Sequence, residues 1–376
     1  MANDLSGLIT PILAKGLMAL RTTAIAPRLV NISYSNEVVK RGNTIQIPAY
    51  QNATTYDVAP SNVLVNPADT NVGMVNLTLD KWVYSALKLT DQDLWAIENG
   101  AESPAINACI IALSEAVHAD IISKYKLVYG VVGTAGTTPF GSASLTDATL
   151  MSKQLTVQKA PQSGRQVLIE PTSAAAAKMI PAFHNQQFSS TSDVLMEGQL
   201  GKHFGMNWYE VNTVPIHTAG GGSGYLVNGA AVTAGLSTIP VDTGTGTLVK
   251  GDIITFAGHT QTYAITADYA GGTGNITITP SLRVNVADNV AITKMASATV
   301  NLAFCRDAIA FASRPEPTSL VPNVIMRSVM DDDPVYGSGL ALTLEMQRQN
   351  KQDAIVLSLQ WGCVLARPEY AIRLLA

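Results

Sequence analysis

Between Thr218 and Ala298 the chain changes character, and that change limits what the whole of it can fold into. Only seven residues in this stretch are charged (Asp242, Lys250, Asp252, Asp268, Arg283, Asp288 and Lys294), and thirteen of the chain's 29 glycines fall between Thr218 and Gly274. Short β-branched and aromatic runs recur within it: GYLVNGA, STIPV, DIITFAG, QTYAIT, NITIT and VAITKM, each set off by turn residues. Disordered linkers lack such runs. Short strands at regular spacing with glycine turns predict a small sandwich or barrel. In GDIITFAGHTQTYAIT (251–266), Ile254 and Phe256 share one side of a strand, as Tyr263 and Ile265 do in the next, across a Gly258-His259-Thr260 turn. Mixed helix and strand patterns lie on both sides, so the β unit interrupts a mixed unit and does not follow it.

A chain of 376 residues has material for two or three domains. Its hydrophobic fraction of 47% is ordinary, whereas its charged fraction is 14%, against roughly 25% in typical domains. So little charge suits a subunit whose surface becomes interface, since interface cores are depleted in charge. The net charge of −4 does not suit a dedicated nucleic-acid binder. Residues through Arg41 sum to +3 (Lys15, Arg21, Arg28, Lys40, Arg41 against Asp4, Glu37), so the remainder sums to −7. Three scattered cysteines, Cys109, Cys305 and Cys363, imply neither a disulfide scaffold nor a zinc site. Asp4, Pro11 and Lys15 argue against a signal peptide. No uninterrupted apolar run reaches the ~18 residues of a membrane span.

Thr10-Pro11 reads as a helix start, with Ile12, Leu13, Leu17 and Leu20 at helical spacing and Pro27 ending the segment. NTIQIPAY runs out and VNLTLDKWVYSALKLT runs back, with Val75, Leu77 and Leu79 alternating. The polar, proline-interrupted stretch between them is too long for a tight turn. A two-stranded ribbon of this kind is marginal alone, and needs something to lie on, such as another chain. Ser103-Pro104 starts the clearest helix, with Ile106, Ile110, Leu113, Val117 and Ile121 on one face and Gly130 closing the region. Such a helix is about 30 Å long. Residues 145–217 alternate helix (LTDATLMSKQLTVQ, PTSAAAAKMI) with strand (RQVLIE, MNWYEVNTVP), and from Thr299 the mixed content returns. The fold class is α+β.

Chemical motifs are missing. Gly201-Lys202 is followed by His203 where a P-loop needs Ser or Thr. GGGSG (220–224) and GTG (244–246) do not complete a dinucleotide fingerprint and read as flexible hinge and turn. There is no G-x-S-x-G and no H-E-x-x-H. His118, His184, His203, His217 and His259 lack metal-ligand spacing, and His118 and Asp120 fall on different helix faces. Asp331-Asp332-Asp333-Pro334 reads as a solvated turn and not as a cation site. No catalytic residue, metal or cofactor is expected.

The order of these parts (arm, ribbon, long helix, mixed unit, β insertion, return) resembles the HK97-like major capsid fold of tailed bacteriophages. More closely, the chain resembles the coat-protein family of short-tailed Salmonella-type phages, which carry an inserted β-barrel domain. KGDIITFAG (250–258) followed by ITITP (276–280) looks like that family's insertion signature. RDAIAFASRPEP (306–317) resembles its return strand, and WGCVLARPEYAI (361–372) its C-terminal stretch. The insertion here looks shorter than the family's full inserted domain.

The resemblance implies a virion subunit and no enzyme: a coat protein assembling in the host cytoplasm, as pentamers and hexamers, into an icosahedral shell around double-stranded DNA. A scaffolding protein and a portal would attend assembly, with no membrane partner. The implied parts are an N-arm at 1–35, the extended loop and peripheral strands at 36–103, and the spine helix at 104–130. The axial domain begins at 131–217, the inserted β domain spans 218–298, and return strands fill 299–376. Contacts between subunits would then involve Leu17, Arg21 and Arg28 on the arm, and Tyr50, Tyr56, Asp57, Asn62 and Lys81 on the loop and its strands. The alternatives are a cellular nanocompartment shell on the same fold, enclosing enzyme cargo, and a hydrolase built from distant positions.

Overall fold

The computed structural model describes residues 13–14, 16–20, 24–34, 43–49, 73–90, 104–141, 144–184, 200–229, 232–317, 324–331, 339–349 and 352–376. The expected Thr10-Pro11 helix start, the Ser103 cap, the connection between the ribbon strands and Asp332 to Pro334 lie outside these residues. What is described is a mixture of helices and four β-sheets.

The long helix spans Pro104–Ser123, with a 3₁₀ turn at Lys124–Leu127. Ile106, Ile110, Leu113, Val117 and Ile121 are all buried, so the 3.6-residue period sets the helix's inner face as read from the sequence. That face joins the main core with Leu342, Leu344, Leu357 and Trp361 of a five-stranded sheet. Asp120 lies on another side, where it accepts a hydrogen bond from the Trp361 indole (3.1 Å) and pairs with Lys124 (3.1 Å). By length and composition alone the helix could cross a bilayer, which the search for an uninterrupted apolar run did not register. Here its stripe of large apolar residues is covered by the sheet.

A second, seven-stranded sheet places Arg165–Ile169, Ala298–Cys305 and Ala371–Leu375 at its centre, buried at every position but Thr299. Alternate residues feed two cores: Leu168, Leu302 and Phe304 enter the long-helix core, whereas Val167, Ala303 and Ile372 enter a second core. Thr146–Val157 and Pro171–Lys178 cover that second face, as Met151, Leu155, Ala174 and Ala177 show. A strand buried on both faces carries apolar residues at nearly every position, which explains the LAFC run and the AIRLL run, interrupted only by the buried Arg373.

The sequence-defined β stretch forms a six-stranded sheet with strands Leu226–Val227, Thr238–Asp242, Ile253–Phe256, Thr262–Ile265, Gly274–Thr279 and Ile292–Lys294. Its two end strands meet through the Leu226–Ala291 bridge and the Ile292 N–H to Tyr225 carbonyl bond (2.9 Å), which closes it into a barrel. Ile254, Phe256, Tyr263 and Ile265 lie in one core whose members all come from this stretch. Ile253 and Ala264, on the opposite face of the same hairpin, pack on Tyr129. The chain enters from Ile216–His217 and leaves into Ala298–Cys305, two strands that pair with each other in the seven-stranded sheet.

Four readings need correction. Pro27 does not end a helix; it sits inside the short helix Ile25–Leu29, in the first turn, where a missing N–H costs nothing. The returning ribbon strand is two strands, Gly73–Thr78 and Lys81–Thr90, which separate at Leu79–Asp80. The ribbon formed by Thr44–Ala49 and Gly73–Thr78 is seated on its own chain: Ile45, Ile47, Leu77 and Leu79 cluster with Ala310 and Ala312. Small residues permit that seat, since a Cβ at Gly362 would stand 2.1 Å from the Thr78 carbonyl oxygen. Nor do the glycine runs form an open hinge, since Ser223 and Thr245 exchange backbone hydrogen bonds (2.9 and 3.0 Å) between them. A Cβ at Gly244 would meet the Tyr225 ring at 2.3 Å, and one at Gly220 the Thr247 carbonyl oxygen at 2.3 Å.

Candidate functional site

Two of the scattered histidines acquire meaning from the fold. His217 sits at the entry to the barrel, and its ring bridges two polar groups. Nδ1 lies 3.1 Å from the Tyr125 hydroxyl and Nε2 lies 2.9 Å from Asp252. Asp252 also accepts the backbone N–H groups of Val249 (2.8 Å) and Gly220 (3.2 Å). Arg373 completes the junction by donating to the Gly251 carbonyl (2.7 Å) with its guanidinium carbon 5.2 Å from the centre of the Tyr125 ring. Four parts of the chain therefore meet here: the 3₁₀ turn after the long helix, the entry strand, the barrel and the last strand of the seven-stranded sheet.

Tyr–His–Asp is the order of a proton relay, but burial decides against catalysis at this place. Tyr125 is 3% exposed, His217 7% and Asp252 0%, so no substrate reaches the hydroxyl. Burial raises the Tyr125 pKa, Asp252 adds to the rise and Arg373 opposes it, so the phenol keeps its proton. Burial also pushes the Asp252 carboxyl up, but its bonds to His217, Val249 and Gly220 and the nearby His217 charge outweigh that, leaving it below the usual range. Burial pulls the Arg373 guanidinium down to about 9, with Tyr125 and Asp252 acting the other way. A fully bonded buried carboxylate fixes geometry, and removing one partner from such a pair costs roughly 3–5 kcal/mol. The junction pins the barrel to the body. This role of Asp252 is not legible in KGDIITFAG, because its partner His217 lies 35 residues away.

His118 is different. It is 6% exposed, its Nε2 has no hydrogen-bond partner among the described residues, and burial lowers its pKa to about 4. It lines a cleft of about 360 Å³ with Ser114, Glu115, Glu210 and Asn212. Among the described residues no group of three or more His, Cys, Asp or Glu side chains is placed to hold a metal ion.

The outer surface carries the more suggestive features. The strand Lys81–Thr90 pairs with Gln352–Leu365 on one side, and no described strand pairs with its other edge. Val83 and Leu87 turn toward the main core, while Trp82 and Tyr84 are each 69% exposed. The Trp82 indole donates to Glu316 (2.7 Å), which holds the ring in place at the surface. Of the expected contact residues, Lys81 is exposed at the start of this strand, Arg28 is exposed on Ile25–Leu29, and Leu17 is half-buried on the helical stretch 16–20. These three sit on separate elements. Arg21, Tyr50, Tyr56, Asp57 and Asn62 lie outside the described residues.

The chain matches no family model and no curated protein. Among solved structures it is similar to a chain of Mycobacterium phage Che8, at 14% identity and a TM-score of 0.52, over 93% of this chain and 90% of that one. Weaker likenesses include the capsid of cyanophage P-SCSP1u (16% identity, TM-score 0.48, 94% of this chain and 88% of that one). A virus-like particle from Pyrococcus furiosus is another (7% identity, TM-score 0.44, 97% and 98%). This chain shares a fold with the Che8 phage chain over nearly its full length.

Proposed function

We propose that the chain is the major capsid protein of a tailed bacteriophage, a non-enzymatic subunit located in the virion. It forms pentamers and hexamers of an icosahedral shell that encloses double-stranded DNA without reading its sequence. Assembly proceeds in the host cytoplasm with a scaffolding protein and a portal. The HK97-like parts are an N-arm at 1–35, an extended loop and peripheral strands at 36–103, a spine helix at 104–130, the first part of the axial domain at 131–217 and return strands of the axial and peripheral domains at 299–376. The barrel at 218–298 is the inserted domain of the Salmonella-type coat family. Leu17, Arg21, Arg28, Tyr50, Tyr56, Asp57, Asn62 and Lys81 serve contacts between subunits.

The observation that carries this reading is the fold shared with the Che8 phage chain across 93% of the sequence. The long helix laid over a sheet whose edge strand displays Trp82 and Tyr84, together with the low charge content, supports it. Electron microscopy of the expressed chain, alone and with a co-expressed scaffolding protein, tests it. Closed or partial shells are expected. A chain that stays monomeric at high concentration in both settings overturns the reading.

A further inference from the structure

A cleft of about 580 Å³ opens where the barrel meets the body and the ribbon, and its charge is lopsided. Among the described residues Lys159, Arg283 and Arg367 all line it, against one carboxylate, Glu369. The three cations come from separate parts: the turn after Thr146–Val157, the barrel loop after Gly274–Thr279, and the turn after Gln352–Leu365. None of them has a carboxylate within ion-pair distance among the described residues. Unpaired cations gathered from distant segments repel one another, so an arrangement of this kind is stabilised by an anion between them.

Both arginines are held in place by tyrosines that line the same cleft. The Arg283 guanidinium lies 5.9 Å from the centre of the Tyr129 ring, with Nη2 3.5 Å from that hydroxyl. Arg367 lies 5.2 Å from the centre of the Tyr370 ring, and its Nη1 donates to that hydroxyl (3.0 Å). Each guanidinium keeps further N–H donors beyond its one tyrosine bond. Gln158 also lines the cleft, but its amide is shut in against Gly130, where neither Nε2 nor Oε1 has a partner among the described residues, so the binding contacts fall to the three cations.

We propose that this cleft is a binding site for a small phosphate-type oxyanion carrying at least two negative charges, with diphosphate as the model ligand. Guanidinium forks match phosphate oxygens two at a time. Three cations against Glu369 leave a net of two positive charges, which favours a dianion over a single carboxylate. The phosphate could belong to a free anion or to a nucleic-acid backbone. The free anion is favoured because the site is concave and the chain as a whole carries −4, which disfavours a long polyanion.

The proposal goes beyond assembly and is measured on dispersed chain. Calorimetric titration of the full-length protein at low ionic strength uses inorganic pyrophosphate in one arm and a short DNA duplex in the other. One saturable pyrophosphate site is expected. Its affinity should fall at least tenfold in the Arg283→Ala/Arg367→Ala double variant and rise a few-fold in Glu369→Gln, which removes the opposing charge without removing a cation. The Glu369→Gln arm stands even if the double variant misfolds. No saturable heat with pyrophosphate, or an affinity indifferent to these substitutions, overturns the proposal. So does duplex binding that depends on the two arginines while pyrophosphate fails to bind.

Discussion

His118 is a base that the fold keeps neutral. Its ring is largely buried on the long helix, no described partner compensates a charge on Nε2, and its pKa drops from 6.5 to about 4. The unfolded chain therefore takes up this proton first as pH falls. Stability attributable to the neutral ring is complete above about 6.5 and is lost progressively between 6.5 and 4, reaching roughly 3 kcal/mol at about 1.4 kcal/mol per pKa unit. His118→Leu should remove that share of the acid sensitivity. Chemical denaturation of parent and variant at pH 7 and pH 4.5 checks it, and equal losses in the two proteins would refute the assignment. The sequence showed His118 and Asp120 to be on different helix faces, which is a matter of spacing alone. It did not show the bond from His217 to Asp252, because only the closure of the barrel brings those residues together.

At the scale of elements, legibility followed locality. The long helix and the six barrel strands announce themselves through periodicity and turn residues within a dozen positions, and each appears where the pattern put it. The seat of the ribbon did not, because Ala310 and Ala312 come from a strand more than 200 residues further along. What makes them suitable is their smallness, which no local pattern marks. The barrel's own core also supports a physical expectation. Its buried side chains contact one another, and its ladder closes through Leu226 and Ala291. Residues 218–298 expressed alone should fold, with dispersed amide signals in a proton–nitrogen spectrum. The excised piece loses the Tyr129 cover over Ile253 and Ala264 and the Arg373 bond to Gly251, so it should melt below the intact protein. A collapsed spectrum of random-coil type would show that the junction supports the barrel's fold as well as its position.

For the whole molecule, surface chemistry is the remaining question. A charged fraction of 14% leaves broad areas of the surface for contact. One described patch is the outer face of Lys81–Thr90, where two aromatic side chains, Trp82 and Tyr84, stand 69% exposed beside Lys81. In the sequence the two aromatics do not stand out, because in an alternating strand they look like half of an ordinary pattern. The side that faces inward is settled only by the helix packed beneath Val83 and Leu87. If the face is a subunit contact, Trp82→Ser/Tyr84→Ser should leave the folded monomer within about 1 kcal/mol of the parent, since exposed side chains contribute little to folding. Burying an aromatic side chain contributes roughly 1.5–3 kcal/mol, and about 1.4 kcal/mol is tenfold in an equilibrium constant. The concentration at which shells form should therefore rise at least tenfold in the double variant. Sedimentation velocity across a concentration series, with melting curves of the same samples, separates the two effects. Shells forming at the parent's concentration would place the contact elsewhere on the surface, and a large fall in melting temperature would mean that the two rings serve the fold of their own subunit.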